Sequence, residues 1–480
     1  MNRLQGWFTL GVLAFLSGCV SGPDYHAPVL KVDDQWHAES TKVEVRAKYD
    51  DHRWWEQLND PWLSKLMDEA MRNNQDVRMA MLRLEKAKIL RHNATQEDWP
   101  TLDASAGASR NRFSKQTGFG ANTGIRNTFS ASLDASWEVD LFGKDKRTHE
   151  AAIAQFEATE AASRGVMLAM QAELASNYFE MRGFQRQRDA TLQDIALLKE
   201  VEGIAKLQRD AGSLTDFEWM QAKGEREAFE AKLPNIESEI TARIYRISVL
   251  TQKAPEFYQS TFEKTEPLPM PADLVPVGLR SDMLKRRPDL QQAERELAVA
   301  TANIGIAHAN LFPSFALTGS VGSSARLFTD LLTPATMISS LGSSLGWPLF
   351  HNGDLVAQED MAKVDAKIAL INYEQAVLLA LEDAEGSLMR YGKGWQTLTL
   401  LRQAEATRLH AVDLAKFRYE VGEESLLTLL DAKRAWITSH NATITSETQL
   451  LLNLTQLYKS LGGGWQGVVE PLKMAVNLRE

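Results

Sequence analysis

The stretch from Phe129 to Asp140 has the pattern of a strand with two unlike faces. Phe129, Ala131, Leu133, Ala135, Trp137 and Val139 alternate with Ser130, Ser132, Asp134, Ser136, Glu138 and Asp140, and a period of two puts one set on each face. A weaker version recurs later, with Phe315, Leu317 and Val321 in one segment and Leu341, Leu345, Trp347 and Leu349 in another. Polar or Gly-rich stretches, Phe113 to Arg126 and Ser324 to Met337, separate the paired segments and predict hairpin loops. Each segment is about 10 residues, enough for a tilted strand to cross a bilayer with its apolar face toward lipid and its polar face toward water.

The pattern then changes to helical. Lys144 to Asp210 and Asp354 to Glu420 contain no proline, and at 1.5 Å per residue each reaches about 100 Å if continuous. Tyr373, Val377, Leu381, Ala384, Leu388 and Tyr391 fall at three- and four-residue steps, and Leu174, Tyr178 and Met181 begin a similar stripe. These are packing seams of coiled-coil type. Gly212 and Gly422 are placed to end the long helices, and Ser213 or Ser425 to cap the helices that return. Each half therefore predicts a long helical hairpin with its tip far from the strands.

The two halves are a repeat. Asp76, Ala80, Ala87 and Pro100 recur 213 positions later as Asp289, Ala293, Ala300 and Pro313, and Trp137, Gly143, Gly212 and Ala222 recur 210 positions later as Trp347, Gly353, Gly422 and Ala432. The change of offset places a length difference between Pro and Trp, where a loop lies. The organisation expected is a signal peptide at 1–18, an N-terminal segment at 19–61, a first repeat at 62–270, a second at 271–462 and a tail at 463–480. Within the repeats, strands are expected at about 101–140 and 314–349 and hairpins at about 144–252 and 354–461. The fold class is α+β: four strands per subunit with long helices and a two-fold internal repeat. Four strands cannot close a barrel, since bacterial barrels start at about eight and an open edge in lipid leaves backbone groups unpaired. Copies must associate; a dimer gives eight strands and a trimer twelve, and the pattern alone does not choose.

At the N-terminus, Arg3 precedes an apolar run from Trp7 to Leu16, too short to span a bilayer as a helix. The run ends in Leu16-Ser17-Gly18-Cys19, which resembles the bacterial lipobox and makes Cys19, the only cysteine of the chain, the lipidation site. Val20 replaces the Asp that resembles an inner-membrane retention signal, which points to the outer membrane. A net charge of -10 offers no basic patch for nucleic acid. No metal or nucleotide motif survives inspection. There is no H-E-x-x-H run; Gly386 to Gly394 has the wrong spacing for a P-loop, and Gly118-Phe119-Gly120 lies between strands rather than before a helix. An enzyme is not expected, nor any cofactor beyond N-acyl and S-diacylglycerol lipid on Cys19.

Several short motifs complete the reading: Gly22-Pro23-Asp24-Tyr25, Trp54-Trp55 with Asp60-Pro61, Arg286-Arg287-Pro288-Asp289-Leu290, and Phe312-Pro313-Ser314 with Leu317-Thr318-Gly319. Leu429-Leu430-Asp431-Ala432 and Leu461-Gly462-Gly463-Gly464-Trp465 close the series. In this order they resemble the TolC-like outer-membrane factors, specifically the lipidated branch that serves tripartite drug efflux. The resemblance implies a homotrimer with a twelve-stranded outer-membrane β-barrel and a periplasmic α-helical barrel. It also implies a periplasmic membrane-fusion adaptor and an inner-membrane efflux transporter as partners. It places Asp431 on the inner wall of a periplasmic gate, Tyr419 in an inter-helix polar link with Glu218 in the place of its acidic partner, and Gly212, Leu214, Gly422 and Leu426 at the adaptor-contacting tips. The sequence departs from the best-known secretion duct at Glu424, where that protein carries a basic residue, and at Thr428, which replaces an acidic one.

Two other readings keep parts of this picture: the same fold serving a type I protein secretion system, and a periplasmic scaffold lipoprotein that forms no channel. Extraction separates the last from the first two. We expect a detergent-requiring, heat-modifiable trimer on gel electrophoresis; a monomer released by removal of the lipid would establish the scaffold.

Overall fold

The computed structural model describes residues 20–29, 32–37, 42–45, 52–96, 98–113, 124–271 and 274–464. Cys19, the expected signal segment at 1–18, Gly118 to Gly120 and Trp465 onward lie outside the described residues. The helices are α1 (Pro61–Asn73), α2 (Gln75–Ala94), α3 (Lys144–Asp210), α4 (Asp216–Glu230), α5 (Leu233–Leu250), α6 (Arg280–Arg286), α7 (Pro288–Ala309), α8 (Asp354–Glu420) and α9 (Leu426–Ser460). The strands are β1 (Val43–Val45), β2 (Thr101–Phe113), β3 (Gly124–Val139), β4 (Val275–Val277), β5 (Ser314–Ala325) and β6 (Met337–Gly346). No helix among the described residues is long and apolar enough to cross a membrane.

The chain forms two compact units, each gathering equivalent stretches of both repeats: 1–29, 84–159 and 292–374 in one, 30–83, 160–291 and 375–480 in the other. The first unit holds an antiparallel sheet of order β2-β3-β5-β6. Its register carries the alternation across all four strands. Leu133 stands opposite Ala104 on one side and Val321 on the other, and Val321 stands opposite Ser339. On the other face Asp103, Asp134, Ser320 and Ser340 form one row. The apolar face is bare, with Leu102, Leu133, Leu341 and Leu345 all exposed. Among the described residues both edges, β2 and β6, have a neighbour on one side only.

The repeat extends to hydrogen bonds. The Trp137 indole N–H donates to the Asp98 carbonyl (2.9 Å) and that of Trp347 to the Leu311 carbonyl (3.3 Å), at corresponding positions of the two halves. The halves differ where β6 stops. We expected strand as far as Leu349, but the strand ends at Gly346, because Pro348 has no N–H to give to a ladder.

A buried arginine pins the segment that follows Cys19. Arg147, at the start of α3, donates from Nε to the Ser21 carbonyl (3.0 Å) and from Nη2 to the Gly22 carbonyl (3.1 Å) and the Asp24 carboxylate (2.8 Å), while Nη1 meets Glu150 at 2.6 Å. Gly22 has φ +81°, and a Cβ there would lie 2.5 Å from the Gly305 Cα, so both conformation and space require glycine. Tyr25 closes the motif by donating to Glu294 (2.6 Å).

In the second unit β1 pairs with β4 in parallel. Two of the sequence motifs pack there. Asp60 caps α1 by accepting from the Leu63 N–H (3.0 Å) with Pro61 in the first turn, and it also accepts from the Tyr178 hydroxyl (2.7 Å). Trp54 stacks on Tyr458 at 4.8 Å. Arg287 joins Asp289, Asp383 (3.2 Å) and the Ser460 carbonyl (2.8 Å). The long helices have the predicted bounds. The buried stripe of α8 runs Tyr373, Val377, Ala380, Ala384, Leu388 and Tyr391, with Ala380 buried in the place expected for Leu381; the small side chain lets the packed backbones approach. The returning helix of the first half is broken between α4 and α5, where Pro234 enters the first turn of α5, while α9 runs through unbroken.

We expect Arg147→Ala to leave the buried Ser21 carbonyl and the Gly22 carbonyl without this donor and to cost about 3 kcal/mol, measured as a lower thermal midpoint and faster protease cleavage of residues 20–25. The hydrogen bond from Arg147, with its charge, holds the Asp24 carboxyl below the usual carboxylate range. Its share of the docking is therefore complete at neutral pH and is lost only as pH falls through that lowered value.

Candidate functional site

The two helical hairpins turn in the same way. Gly212 (φ +76°) and Gly422 (φ +80°) follow α3 and α8, and a Cβ at either would touch nothing, so the left-handed backbone alone selects glycine. At the first turn the Ser213 N–H donates to the Gln208 carbonyl (2.9 Å) and at the second the Glu423 N–H donates to the Arg418 carbonyl (2.9 Å), the six-residue closure of a Schellman motif.

The helices that leave the turns are capped differently. Thr215, not Ser213, caps α4. Its hydroxyl accepts from the Glu218 N–H while the Glu218 carboxylate accepts from the Thr215 N–H (3.0 Å), a complete capping box. The Ser213 hydroxyl instead donates back to the Gln208 carbonyl (2.9 Å). Ser425 caps α9 by accepting from the Thr428 N–H (3.3 Å). Thr428 stands where the first half has Glu218, and it lacks the carboxylate that would complete the box. The hydrogen bonds from the Thr215 backbone and hydroxyl hold Glu218 below the ordinary carboxylate range.

Tyr419 makes an inter-helix link, with a partner other than the one expected. Its hydroxyl donates to Gln208 Oε1 (3.1 Å), joining α8 to α3; Glu218 is engaged in its own cap. Glu424 pairs with Arg418 at 3.2 Å. Asp431 lies on an exposed face of α9, 3.4 Å from Arg434, whose other nitrogen is 2.9 Å from Glu225. One guanidinium thus serves two carboxylates.

Leu426 differs from its expected place at a contact surface. It is 3% exposed and belongs to a core with Leu198, Val201, Ala222, Phe229 and Leu430, and Leu214 packs partly buried against the same cluster. Apolar groups left exposed around the turns include Phe217, Met220, Phe417, Val421 and Leu427. Their polar neighbours gave the sequence pattern no reason to single them out.

Sequence reasoning also missed Asp194 on α3. It is 2% exposed, and burial pushes its carboxyl up to about 6 against the opposing charges of His440 and Lys232. His440 Nδ1 lies 2.7 Å from Glu405, and its ring stacks on Trp436 at 5.4 Å. Among the described residues no group of three or more His, Cys, Asp or Glu is arranged to hold a metal ion.

Comparison with known proteins agrees with this architecture. The profile of the family described as outer membrane efflux protein matches residues 66–250 and 279–463, two stretches of equal length, one in each half of the chain. The chain is 29% identical over 463 residues to the solvent efflux pump outer membrane protein SrpC of Pseudomonas putida, covering 94% of this chain and 97% of that protein. It is 27% identical to the probable outer membrane lipoprotein SilC of Salmonella typhimurium, covering 95% of this chain and 98% of that one. Among solved structures, the outer-membrane channel OprN superposes with a TM-score of 0.87 at 32% identity, over 93% of this chain and all of that one. With both repeats matched, their strands and hairpins in place and a solved channel superposing along nearly the whole length, this chain belongs to the outer membrane efflux protein family.

Proposed function

We propose that this protein is the outer-membrane exit duct of a tripartite efflux pump and carries toxic small molecules, taken from an inner-membrane transporter through a periplasmic adaptor, to the exterior. The observation that carries the reading is the four-stranded sheet, apolar on one bare face, polar on the other and open at both edges. In hydrocarbon an unpaired backbone group costs several kcal/mol. Pairing β2 of one copy with β6 of the next removes both edges, and three copies give a twelve-stranded barrel wide enough for water. Exposed apolar side chains on α8, Val356, Val364, Ile368, Ile371 and Leu378, supply a further surface for copy-to-copy packing. Anchoring of Cys19 by lipid accords with the SilC likeness and with the docked residues that follow it.

In this reading the turns after α3 and α8 are the periplasmic end. Gly212 and Gly422 shape the tips, and Phe217, Phe417 and Val421, with Leu214 beneath, present the apolar groups that the adaptor covers. The Tyr419–Gln208 hydrogen bond holds α8 against α3 when the gate is shut. Three copies of Asp431 around one axis repel, because each shares the Arg434 guanidinium with Glu225; bound cations relieve the repulsion and favour closure.

Deletion of the gene is expected to sensitise cells to several unrelated toxic compounds at once, read as raised intracellular accumulation. Unchanged accumulation of every compound tested would remove the efflux reading, and loss of a secreted protein instead would assign the duct to protein secretion. Removing the Tyr419 hydroxyl deletes one hydrogen bond worth about 1 kcal/mol, so Tyr419→Phe should raise single-channel conductance in a planar bilayer severalfold. Asp431→Ala should weaken the dependence of that conductance on added divalent cations, and traces identical to the parent would take Asp431 out of the gate.

A further inference from the structure

We propose that the outer rim of the β-sheet carries a binding site for a phosphorylated glycolipid of the outer leaflet, formed by Arg110 and Arg112 on the lipid-facing side of β2 above an aromatic shelf of Phe129 and Phe328. The proposal rests on the reading of the sheet as membrane-crossing.

The register fixes the side. Leu102, Ala104, Ala106 and Ala108 stand opposite Ala135, Leu133, Ala131 and Phe129, all on the apolar face, and Arg110 and Arg112 continue the same row opposite Asn127 and Ile125. Two arginines therefore sit on the face that otherwise meets hydrocarbon. From Leu102 to Arg110 is eight residues and to Arg112 ten, which at ~3.3 Å per residue and a tilt of ~40° gives heights of roughly 20 and 25 Å. The apolar band of such barrels is about 25 Å tall. The guanidinium groups thus reach the level of the lipid phosphates, where planar, bidentate donors bind phosphate best.

Charge at this end of the sheet is one-sided. Among the described residues of 109–113, 124–128 and 323–337 there are four arginines (Arg110, Arg112, Arg126 and Arg326) and one acid, Asp330, in a chain of net charge -10. Arg110 and Arg112 make no ion pair among the described residues.

Below the cations lies an apolar support. Phe328, from the loop between β5 and β6, packs edge-on against Phe129 with ring centroids 5.8 Å apart. That loop is held in shape by its own hydroxyls: Ser323 meets Thr336 at 2.8 Å and accepts from the Leu332 N–H at 3.0 Å, and Thr336 donates to the Asp330 carbonyl at 2.9 Å. Leu327, Phe328 and Leu332 are thereby displayed as exposed apolar side chains. Cations over an apolar shelf match a lipid with phosphate on its head and acyl chains beneath. The end of the sheet opposite the helices faces the exterior, where the outer leaflet is rich in phosphorylated glycolipid.

Native mass spectrometry of the purified trimer with bis-phosphorylated lipid A and with its dephosphorylated form tests the site. The parent is expected to bind the phosphorylated lipid at least tenfold more tightly than the dephosphorylated one, and the Arg110→Ala/Arg112→Ala variant to lose about that factor. Arg110→Lys/Arg112→Lys is expected to recover most of it. Arg126 lies at the same height on the opposite face, so Arg126→Ala should bind as the parent does. Equal binding of the two lipids by the parent, parent-like binding by the double alanine variant, or an equal loss in Arg126→Ala would each overturn the proposal. The comparison of lipids needs no variant and decides the matter even where a variant does not insert. Conductance of the parent in a planar bilayer reports separately on the duct, so loss of the lipid site and loss of the duct reading are distinguishable.

Discussion

An amide group in hydrocarbon has no water to turn to, and most of this protein is arranged around that fact. A sheet of four strands leaves the outer groups of β2 and β6 without partners among the described residues. Lipid on the apolar face and water on the polar face are both tolerable, but the edges are not. Association follows from the strands and not from a separate oligomerisation element. On the long helices, apolar side chains such as Ile371 and Leu378 of α8 are likewise exposed in the single chain.

Duplication explains how one chain supplies four strands and two hairpins. It is visible in the corresponding tryptophans, whose indoles reach carbonyls at equivalent places, and in the glycines that end α3 and α8 with the same closure. The copies have also diverged in the returning helices. Thr428 has replaced the carboxylate of a capping box, so α9 begins with a weaker cap than α4. Pro234 breaks one returning helix while the other is continuous. The hairpins are equal in plan and differ in their caps and in the continuity of the returning helix.

The polar interior of the helices adds chemistry to this frame. Asp194 is buried without a full set of partners, with a carboxyl raised to about 6, near the stacked His440. At the other unit Arg147 gathers carbonyls and carboxylates from segments far apart in sequence. Both are polar groups whose placement costs free energy unless the surrounding fold is correct.

Sequence alone determined the periodic parts. The bounds of α3 and α8 follow from the absence of proline and from a glycine placed two residues past each end, and the faces of β3 follow from strict alternation; both are local rules in which a residue's own conformation decides. The repeat fixed which segments are equivalent. What only tertiary structure decided is everything that depends on a distant neighbour: that Tyr419 meets Gln208 and not Glu218, that Leu426 is core, that Ala380 and not Leu381 lies in the seam, and that Asp194 is buried. A side chain one residue along a helix is turned by about 100° to a different face, and which face is packed depends on the crossing of helices that no single segment encodes.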